Sequence, residues 1–112
     1  MRAFLISDNI DTLTGFHLSG INGVVLHNPQ LIMDKLDELQ KNPEISIIII
    51  TELAAEKVQD KVTEIKISKK LPLIVEVPDR HGSRKDRNYI LKYIEQSIGI
   101  KIEAGDDYDR RG

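Results

Sequence analysis

The chain has 112 residues, with 16 basic and 18 acidic side chains for a formal net charge of −2, and it contains neither Cys nor Trp. This length supports one domain, the lack of Cys excludes disulfides and thiolate metal sites, and the near-neutral charge argues against a nucleic-acid binder. No apolar run approaches the ~20 residues of a membrane span, and no signal-peptide pattern opens the chain. We therefore expect a soluble intracellular protein without direct membrane insertion.

Four short apolar runs predict β-strands, at residues 3–7, 23–27, 45–51 and 71–77. Each run is too short for an ordinary helix, and its apolar residues are adjacent rather than alternating. This pattern is typical of parallel strands that are buried on both faces. The run at 45–51 is the clearest, so we expect it at the centre of the sheet.

The segments between these strands have helical patterns. Residues 8–18 could hold about two helical turns. Asn28 and Pro29 predict the N-cap and the first position of a second helix, and Asn42 followed by Pro43 predicts where that helix ends.

A third helix is predicted after the third strand, with Thr51 as its N-cap. Its inner stripe consists of four apolar residues at helical spacing: Ala54, Val58, Val62 and Ile65. A polar loop at residues 79–83 then leads into a last helix that ends at Gly99. The apolar residues of this last helix are Ile90, Leu91, Ile94 and Ile98.

The resulting order, βαβαβαβα, predicts an α/β fold with a four-stranded parallel sheet flanked by helices. We expect a receiver-like or Rossmann-like domain with strand order 2-1-3-4, followed by the C-terminal helix and a short tail. Residues 1–100 are assigned to this single domain, including the C-terminal helix, and residues 101–112 to a flexible tail.

Two carboxylates follow the first and third predicted strands, at Asp8 and Glu52. Because ligands of open parallel sheets bind at the carboxyl ends of the strands, these residues could hold Mg²⁺ in a receiver-like phospho-signalling or Mg-dependent protein. A receiver domain needs an acceptor Asp where this chain has Thr51, and a Lys after a fifth strand. We therefore prefer to interpret both acids as helix-start residues favoured by the helix dipole.

No phosphate-binding glycine loop occurs in residues 8–20, and the three His residues lie in separate predicted elements. No Ser has a recognisable His and acid partner. We expect no catalytic residue, no metal ion and no cofactor.

Two features near the C-terminus suggest a partner surface. Residues 79–87 are locally basic, which indicates a solvated loop or, alternatively, a contact with an acidic protein. Tyr89 and Tyr93 widen the apolar stripe of the last helix beyond what one sheet contact needs. This width fits either a partner groove or core packing with the tyrosine hydroxyls in solvent.

The segment at residues 8–21, DNIDTLTGFHLSGI, resembles the G-D-x-D-T-V-x-G-F-x-L-A-G-I signature of the F subunits of V-type and archaeal-type rotary ATPases. Ser7 replaces the usual glycine and Ser19 the usual alanine, and the matching positions are Asp8, Asp11, Thr12, Gly15, Phe16, Leu18, Gly20 and Ile21. Residues 47–52 are similar to that family's I-I-L-I-T-E strand, and residues 71–78 to its P-x-I-x-E-I-P strand. With Ile98-Gly99, the resemblance covers about residues 3–100.

The resemblance implies a non-catalytic rotor subunit in the central stalk of a V-type ATPase or ATP synthase. Such a subunit binds the coiled-coil D subunit of the stalk inside the A₃B₃ catalytic ring, and it reaches the membrane ring through the C subunit, also called d. It couples ATP hydrolysis or synthesis to proton or sodium transport, and it is cytoplasmic and peripherally membrane-associated through the complex. A free-standing adaptor with a receiver-like fold is a further alternative.

The expected partner surface combines the signature segment with the last helix and the loop before it. We expect Phe16 to anchor the first helix, and Gly15 and Gly20 to permit close packing and a turn. The expected partner-binding residues are Asp11, Thr12, Thr14, Gly15, Phe16, Gly20, Arg84, Arg87, Tyr89, Ile90, Tyr93, Ile94 and Ile98.

Overall fold

The computed structural model describes residues 2–78 and 94–96 of the chain. The strands are β1 Arg2–Ser7, β2 Asn22–Val25, β3 Ile45–Thr51 and β4 Leu73–Val77. The helices are α1 Ile10–Leu18, α2 Pro29–Lys41, α3 Glu52–Glu56 and α4 Gln59–Ser68. The four strands pair in parallel in the order β2-β1-β3-β4, which confirms the predicted α/β fold and strand order.

Strand β3 lies at the centre of the sheet, between β1 and β4. Ile48 and Ile50 point to one side of the sheet and Ile47 and Ile49 to the other, and all four side chains are fully buried. Burial of one such side chain contributes about 1.5–3 kcal/mol to folding. The run of isoleucines therefore stabilises both layers of helices at once.

Helices cover both sides of this sheet. The α2 side contains α2, α3 and α4, and its core includes Ile6, Ile32, Leu36, Ile48 and Val62. The α1 side contains α1 and the helical residues 94–96. Its core includes Leu5, Phe16, Ile21, Ile49 and Ile94.

Helix α2 has the ends that the sequence predicts. Asn28 is the N-cap, and its side-chain oxygen accepts hydrogen bonds from the backbone N–H groups of Gln30 and Leu31 at 2.8 and 3.2 Å. Pro29 occupies the first helical position and Asn42 is the C-cap. The helix is therefore bounded by local side-chain chemistry at its start.

Two strands are shorter than predicted. β2 ends at Val25 rather than at residue 27, because the chain turns there towards α2 after Leu26 donates its N–H to the Ser7 carbonyl oxygen (3.0 Å). β4 begins at Leu73 rather than at residue 71. Pro72 has no N–H to donate to a strand ladder, which explains the later start.

The single helix predicted after β3 is wrong, because the structure has two helices there. The N–H of Lys57 donates to the Ala54 carbonyl oxygen and that of Val58 to the Ala55 carbonyl oxygen, which tightens the last turn of α3. Val58 then has a non-helical backbone (φ −139°, ψ 43°) and starts α4. The predicted inner stripe is nevertheless buried at all of its positions: Ala54, Val58, Val62 and Ile65.

Several predictions concern residues outside the described ranges. These are the loop at residues 79–83, the last helix apart from residues 94–96, and the tail at residues 101–112. The division into one domain and a tail stays a prediction.

Candidate functional site: helix α1 and the carboxyl edge of the sheet

The turn between β1 and α1 is fixed by short side-chain hydrogen bonds. The buried hydroxyl of Ser7 donates to the Asn9 carbonyl oxygen (2.7 Å) and accepts from the Asn9 N–H (3.0 Å). Asn9 is the N-cap of α1, where its Oδ1 accepts from the N–H of Thr12 at 2.7 Å. These bonds fix the direction in which α1 leaves the sheet.

The carboxyl ends of three strands are joined by a chain of hydrogen bonds, which we call the edge network. The N–H of Asp8 donates to Oγ1 of Thr51 (3.2 Å), and the Nε2–H of His27 donates to the Asp8 carbonyl oxygen (2.8 Å). Lys57 then donates from Nζ to the His27 carbonyl oxygen (3.0 Å). The edge network therefore connects the ends of β1, β2 and β3 to the end of α3.

The edge network changes the role expected for Thr51. From the sequence this residue should cap the helix after β3, but its side chain makes no capping hydrogen bond. Its hydroxyl oxygen accepts from Asp8 instead and is fully buried. Thr51 is therefore the N-cap residue of α3, as predicted, but its hydroxyl joins two strands and makes no capping bond.

Asp8 and Glu52 both lie at this edge, as the magnesium alternative requires. Asp8 is half-buried and accepts a hydrogen bond from Nδ2 of Asn9 (3.3 Å), whereas Glu52 is exposed at the first position of α3. Within residues 2–78 and 94–96, no group of three or more His, Asp or Glu side chains could hold a metal ion. Nothing in this part of the chain favours the magnesium alternative.

Helix α1 is anchored on one face and exposed on the other. Phe16 is only 2% exposed and packs in the core of the α1 side, with Leu13 packed against that core. Ile10 and Leu18 are 61% and 57% exposed, with Thr14 exposed midway between them. Residues four apart lie on the same helix face, so these three form one outward stripe.

We call this stripe, together with the exposed Asp11, the α1 surface. The first turn of α1 thus adds a carboxylate next to two aliphatic side chains. Such exposed aliphatic groups, on a helix whose opposite face is anchored in the core, are suited to contact with a protein partner.

The expected partner-binding residues differ in their exposure. Asp11, Thr14 and Gly20 are exposed, whereas Thr12 and Gly15 are half-buried. Phe16 and Ile94 are buried in the same core, so each supports the surface from beneath. Six expected residues lie outside the described ranges: Arg84, Arg87, Tyr89, Ile90, Tyr93 and Ile98.

The two glycines of the signature segment have different roles. Gly20 has φ of +90°, a conformation that favours glycine, so the predicted turn is confirmed. At Gly15, an added Cβ atom would meet no atom of the described residues within 4 Å. The close packing expected at Gly15 is therefore not seen in this part of the chain.

A third glycine, Gly23 in β2, was not among the expected residues. An added Cβ there would lie 2.6 Å from the carbonyl oxygen of Leu5 and 2.7 Å from its Cβ, with Leu13 at 3.1 Å. The close approach is therefore between β2 and its neighbour β1, with the Leu13 side chain of α1 packed over it. A glycine inside a predicted strand is the signal that could have identified it.

Comparison with known proteins assigns this arrangement to a family. The family profile described as "ATP synthase (F/14-kDa) subunit" matches residues 3–94. The chain belongs to the family of ATP synthase F subunits. Its match includes β1 to β4, the α1 surface and Ile94.

The curated relatives of this family member are each named as the F subunit of an A-type ATP synthase. The protein of Methanosphaera stadtmanae is 39% identical over 94 residues, covering 82% of this chain and 88% of the relative. That of Methanocaldococcus jannaschii is 32% identical over 104 residues, covering 92% and 100%. That of Thermococcus kodakarensis is 30% identical over 108 residues, covering 92% and 99%.

Membership of this family makes the chain a non-catalytic accessory subunit of a rotary ATPase. The expectation that it is not itself an enzyme is confirmed by the family. Residues 2–78 and 94–96 contain no helix that is long and apolar enough to cross a membrane.

Proposed function

We propose that this F subunit is a central-stalk rotor component that binds the coiled-coil D subunit through the α1 surface and the last helix. In this role it couples ATP hydrolysis or synthesis in the A₃B₃ ring to proton or sodium transport, with the C (or d) subunit as the link to the membrane ring. It is held on the cytoplasmic side, peripheral to the membrane, by the complex.

The observation that carries this proposal is the α1 surface. Ile10 and Leu18 are separated by eight residues, which corresponds to about 12 Å along a helix. That distance is close to the length of one heptad of a coiled coil, about 10.5 Å, after which its apolar stripe repeats. Phe16 holds the opposite face of α1 in the core, so the surface is presented in a fixed orientation.

The position of Ile94 supports a role for the last helix. Ile94 is fully buried in the same core as Phe16, so the helical residues 94–96 lie on the α1 side of the sheet. A partner that contacts α1 would therefore meet both elements on one side. The residues proposed to extend the surface are Arg84, Arg87, Tyr89, Ile90, Tyr93 and Ile98.

A rotor component must also transmit torque without deforming. The sheet has a central strand that is buried on both faces, and the edge network joins three strand ends. A close-packed core of this kind resists deformation. These features support a force-transmitting role.

The first test replaces Ile10 and Leu18 together by Asp, giving the I10D/L18D variant. Charges in the α1 surface should reduce co-purification with the D subunit at least tenfold, because the contact would bury two unpaired carboxylates. Folding of the isolated variant is checked by circular dichroism, since both side chains are exposed.

The matched control is Leu31→Asp, which changes a 52% exposed leucine on the opposite side of the sheet. This control should bind the D subunit like the unchanged chain. Equal retention of the D subunit by the folded I10D/L18D variant would contradict a role for the α1 surface. Tyr93→Asp tests the last helix, whereas Ile94 is unsuitable because its replacement would disrupt the core.

A further inference from the structure

A second exposed surface lies at the amino edge of the sheet, where α4 connects to β4. We call residues 66–71 the lysine tip; in order they are Lys66, Ile67, Ser68, Lys69, Lys70 and Leu71. All six residues are exposed. Ile67 and Leu71 are 70% and 62% exposed, the highest values among the large apolar side chains that the structure describes.

The lysine tip is held in place by the elements on either side. Ser68 donates from Oγ to the Ile65 carbonyl oxygen (2.9 Å) and accepts from the N–H of Lys70 (3.3 Å). Ile65 itself is buried in the core of the α2 side. Lys69 has a left-handed backbone (φ 57°), the conformation that ends many helices.

Among the described residues, the charges of the lysine tip are only partly neutralised. Lys66 Nζ lies 2.8 Å from the carboxylate of Glu76 on β4. No ion pair involving Lys69 or Lys70 occurs within residues 2–78 and 94–96. The ammonium groups of Lys69 and Lys70 therefore lie beside the exposed aliphatic side chains of Ile67 and Leu71. This basic surface belongs to a chain whose net charge is −2.

We infer that the lysine tip docks in a groove of another protein subunit of the rotary ATPase, with an apolar centre and an acidic rim. This inference rests on the proposed function. Ile67 and Leu71 would fill the apolar centre, and carboxylates on the rim would pair with Lys69 and Lys70. Complementary charge at the rim adds specificity and a salt-dependent rate of association.

The size of the lysine tip favours a protein over a lipid surface as the partner. Recognition of anionic membranes usually relies on clusters of about four to eight basic residues or on an amphipathic helix. The lysine tip offers two ammonium groups that are free of ion pairs among the described residues, and it has no aromatic side chain. Two aliphatic side chains suit the pockets of a protein groove, which also excludes water from the contact.

The lysine tip and the α1 surface lie in different places on the molecule. α4 packs on the α2 side of the sheet, whereas α1 packs on the other side. One chain can therefore contact the D subunit with the α1 surface and a second, acidic neighbour with the lysine tip. Such a chain would bridge two neighbours in the assembly.

The test uses Ile67→Cys, because the natural chain contains no Cys and this thiol can be labelled selectively. The variant is coupled to benzophenone-maleimide, reconstituted into the ATPase complex and irradiated, and crosslinked peptides are identified by mass spectrometry. We expect a crosslink to a segment rich in Asp and Glu on another protein subunit. Gln30→Cys, exposed at the opposite edge of the sheet, is the control and should not give this product.

A second variant, K69E/K70E in the Ile67→Cys background, tests the charges. Reversal of both charges should lower the yield of that crosslink at least fivefold, whereas K69R/K70R should preserve it. Lys41→Glu, an exposed lysine on α2, should have no effect on the yield.

Three outcomes would overturn the inference while leaving the proposed function intact. They are a complex that retains the labelled chain without a crosslink at position 67, a crosslink to lipid only, and a yield that K69E/K70E leaves unchanged. If the chain does not enter the complex at all, the inference and the proposed function both fail. Loss of the D subunit by I10D/L18D with the crosslink at position 67 intact would show that the two surfaces act separately.

Discussion

Gly23 shows how a single backbone position controls the packing of two neighbouring strands, β1 and β2. A Cβ atom at this residue would lie 2.6 Å from the Leu5 carbonyl oxygen, a distance at which something must move. Both groups belong to hydrogen-bonded strands, so neither can shift without disturbing the sheet. At Gly15 in α1, an added Cβ atom would meet no atom of the described residues within 4 Å, so nothing in this part of the chain would have to move.

These two glycines form a matched pair for a stability measurement. Gly23→Ala should lower the free energy of unfolding by roughly 1–3 kcal/mol, because the added methyl group overpacks the strand pair. Gly15→Ala should raise it by about 0.5–1 kcal/mol, since alanine is the better helix former and the site is open. Urea denaturation of both variants checks this, and equal effects in the same direction would contradict it.

Two buried serines form a second matched pair. The hydroxyl of Ser7 makes two hydrogen bonds to Asn9, whereas Oγ of Ser19 is buried without a hydrogen-bond partner in the described part of the chain. Burial of an unpaired hydroxyl costs roughly 1–3 kcal/mol. The two serines therefore contribute to stability with opposite signs.

Ser19→Ala should raise the free energy of unfolding by about 1 kcal/mol, because it removes the unpaired hydroxyl. Ser7→Ala should lower it by a similar amount, because it removes both hydrogen bonds between the Ser7 hydroxyl and the Asn9 backbone. Thermal unfolding of the two variants distinguishes the cases. A loss of stability in Ser19→Ala would show that its hydroxyl has a partner in solution.

At the scale of elements, the junction of β3 and α3 depends on Thr51. Its hydroxyl oxygen accepts from the N–H of Asp8 and so joins β3 to the end of β1. A threonine in the same position could equally have capped α3, which is the role that the sequence suggests. The two roles predict different consequences for the isosteric change to valine.

Thr51→Val should lower the free energy of unfolding by about 1 kcal/mol and speed amide hydrogen exchange at Asp8, whose acceptor is removed. Exchange in the first turn of α3 should be unchanged, because Thr51 makes no capping bond there. Thr63→Val, at an exposed position of α4, is the control. Faster exchange at residues 53 and 54 alone would instead support the capping role.

The bounds of strands and helices were predicted best where burial of the side chains allows only one arrangement of the chain. β3 has the predicted bounds because its seven residues are rich in isoleucine. Side chains on both faces of such a strand are buried only when helices cover both sides of the sheet. The break at Lys57 and Val58 could not be predicted, because the apolar spacing of Ala54, Val58 and Val62 continues across it. The hydrophobic pattern therefore carries no signal of where the backbone turns.

The candidate site was predicted only in part, for a related reason. The signature segment led to α1 and to Phe16 as its anchor, but a pattern of residue types does not show that Ile10 and Leu18 point outward. Leu71 was assigned to the fourth strand, so the apolar side chains of the lysine tip were not recognised as exposed. Apolar residues in sequence are normally counted as core, and only the structure shows the exceptions.

At the scale of the whole molecule, the two helix layers differ in their proposed tasks. The α1 side combines α1 with Ile94 and presents the surface proposed for the D subunit. The α2 side carries three helices, among them α4 with the lysine tip. Lys61 on α4 and Asp37 on α2, 2.7 Å apart, connect the helices of this layer.

The strand order has a mechanical consequence for a protein that is gripped at these two places. α1 packs on β1 and β2, whereas the lysine tip leads directly into β4 at the far edge of the sheet. Within the sheet, a load applied between the α1 surface and the lysine tip must cross the β1–β3 and β3–β4 hydrogen-bond ladders. When the load runs along the strands, it acts on all hydrogen bonds of a ladder at the same time. These hydrogen bonds then do not break one after another. Within the sheet, the isoleucine-rich β3 thus becomes the strand that carries the load from β1 to β4.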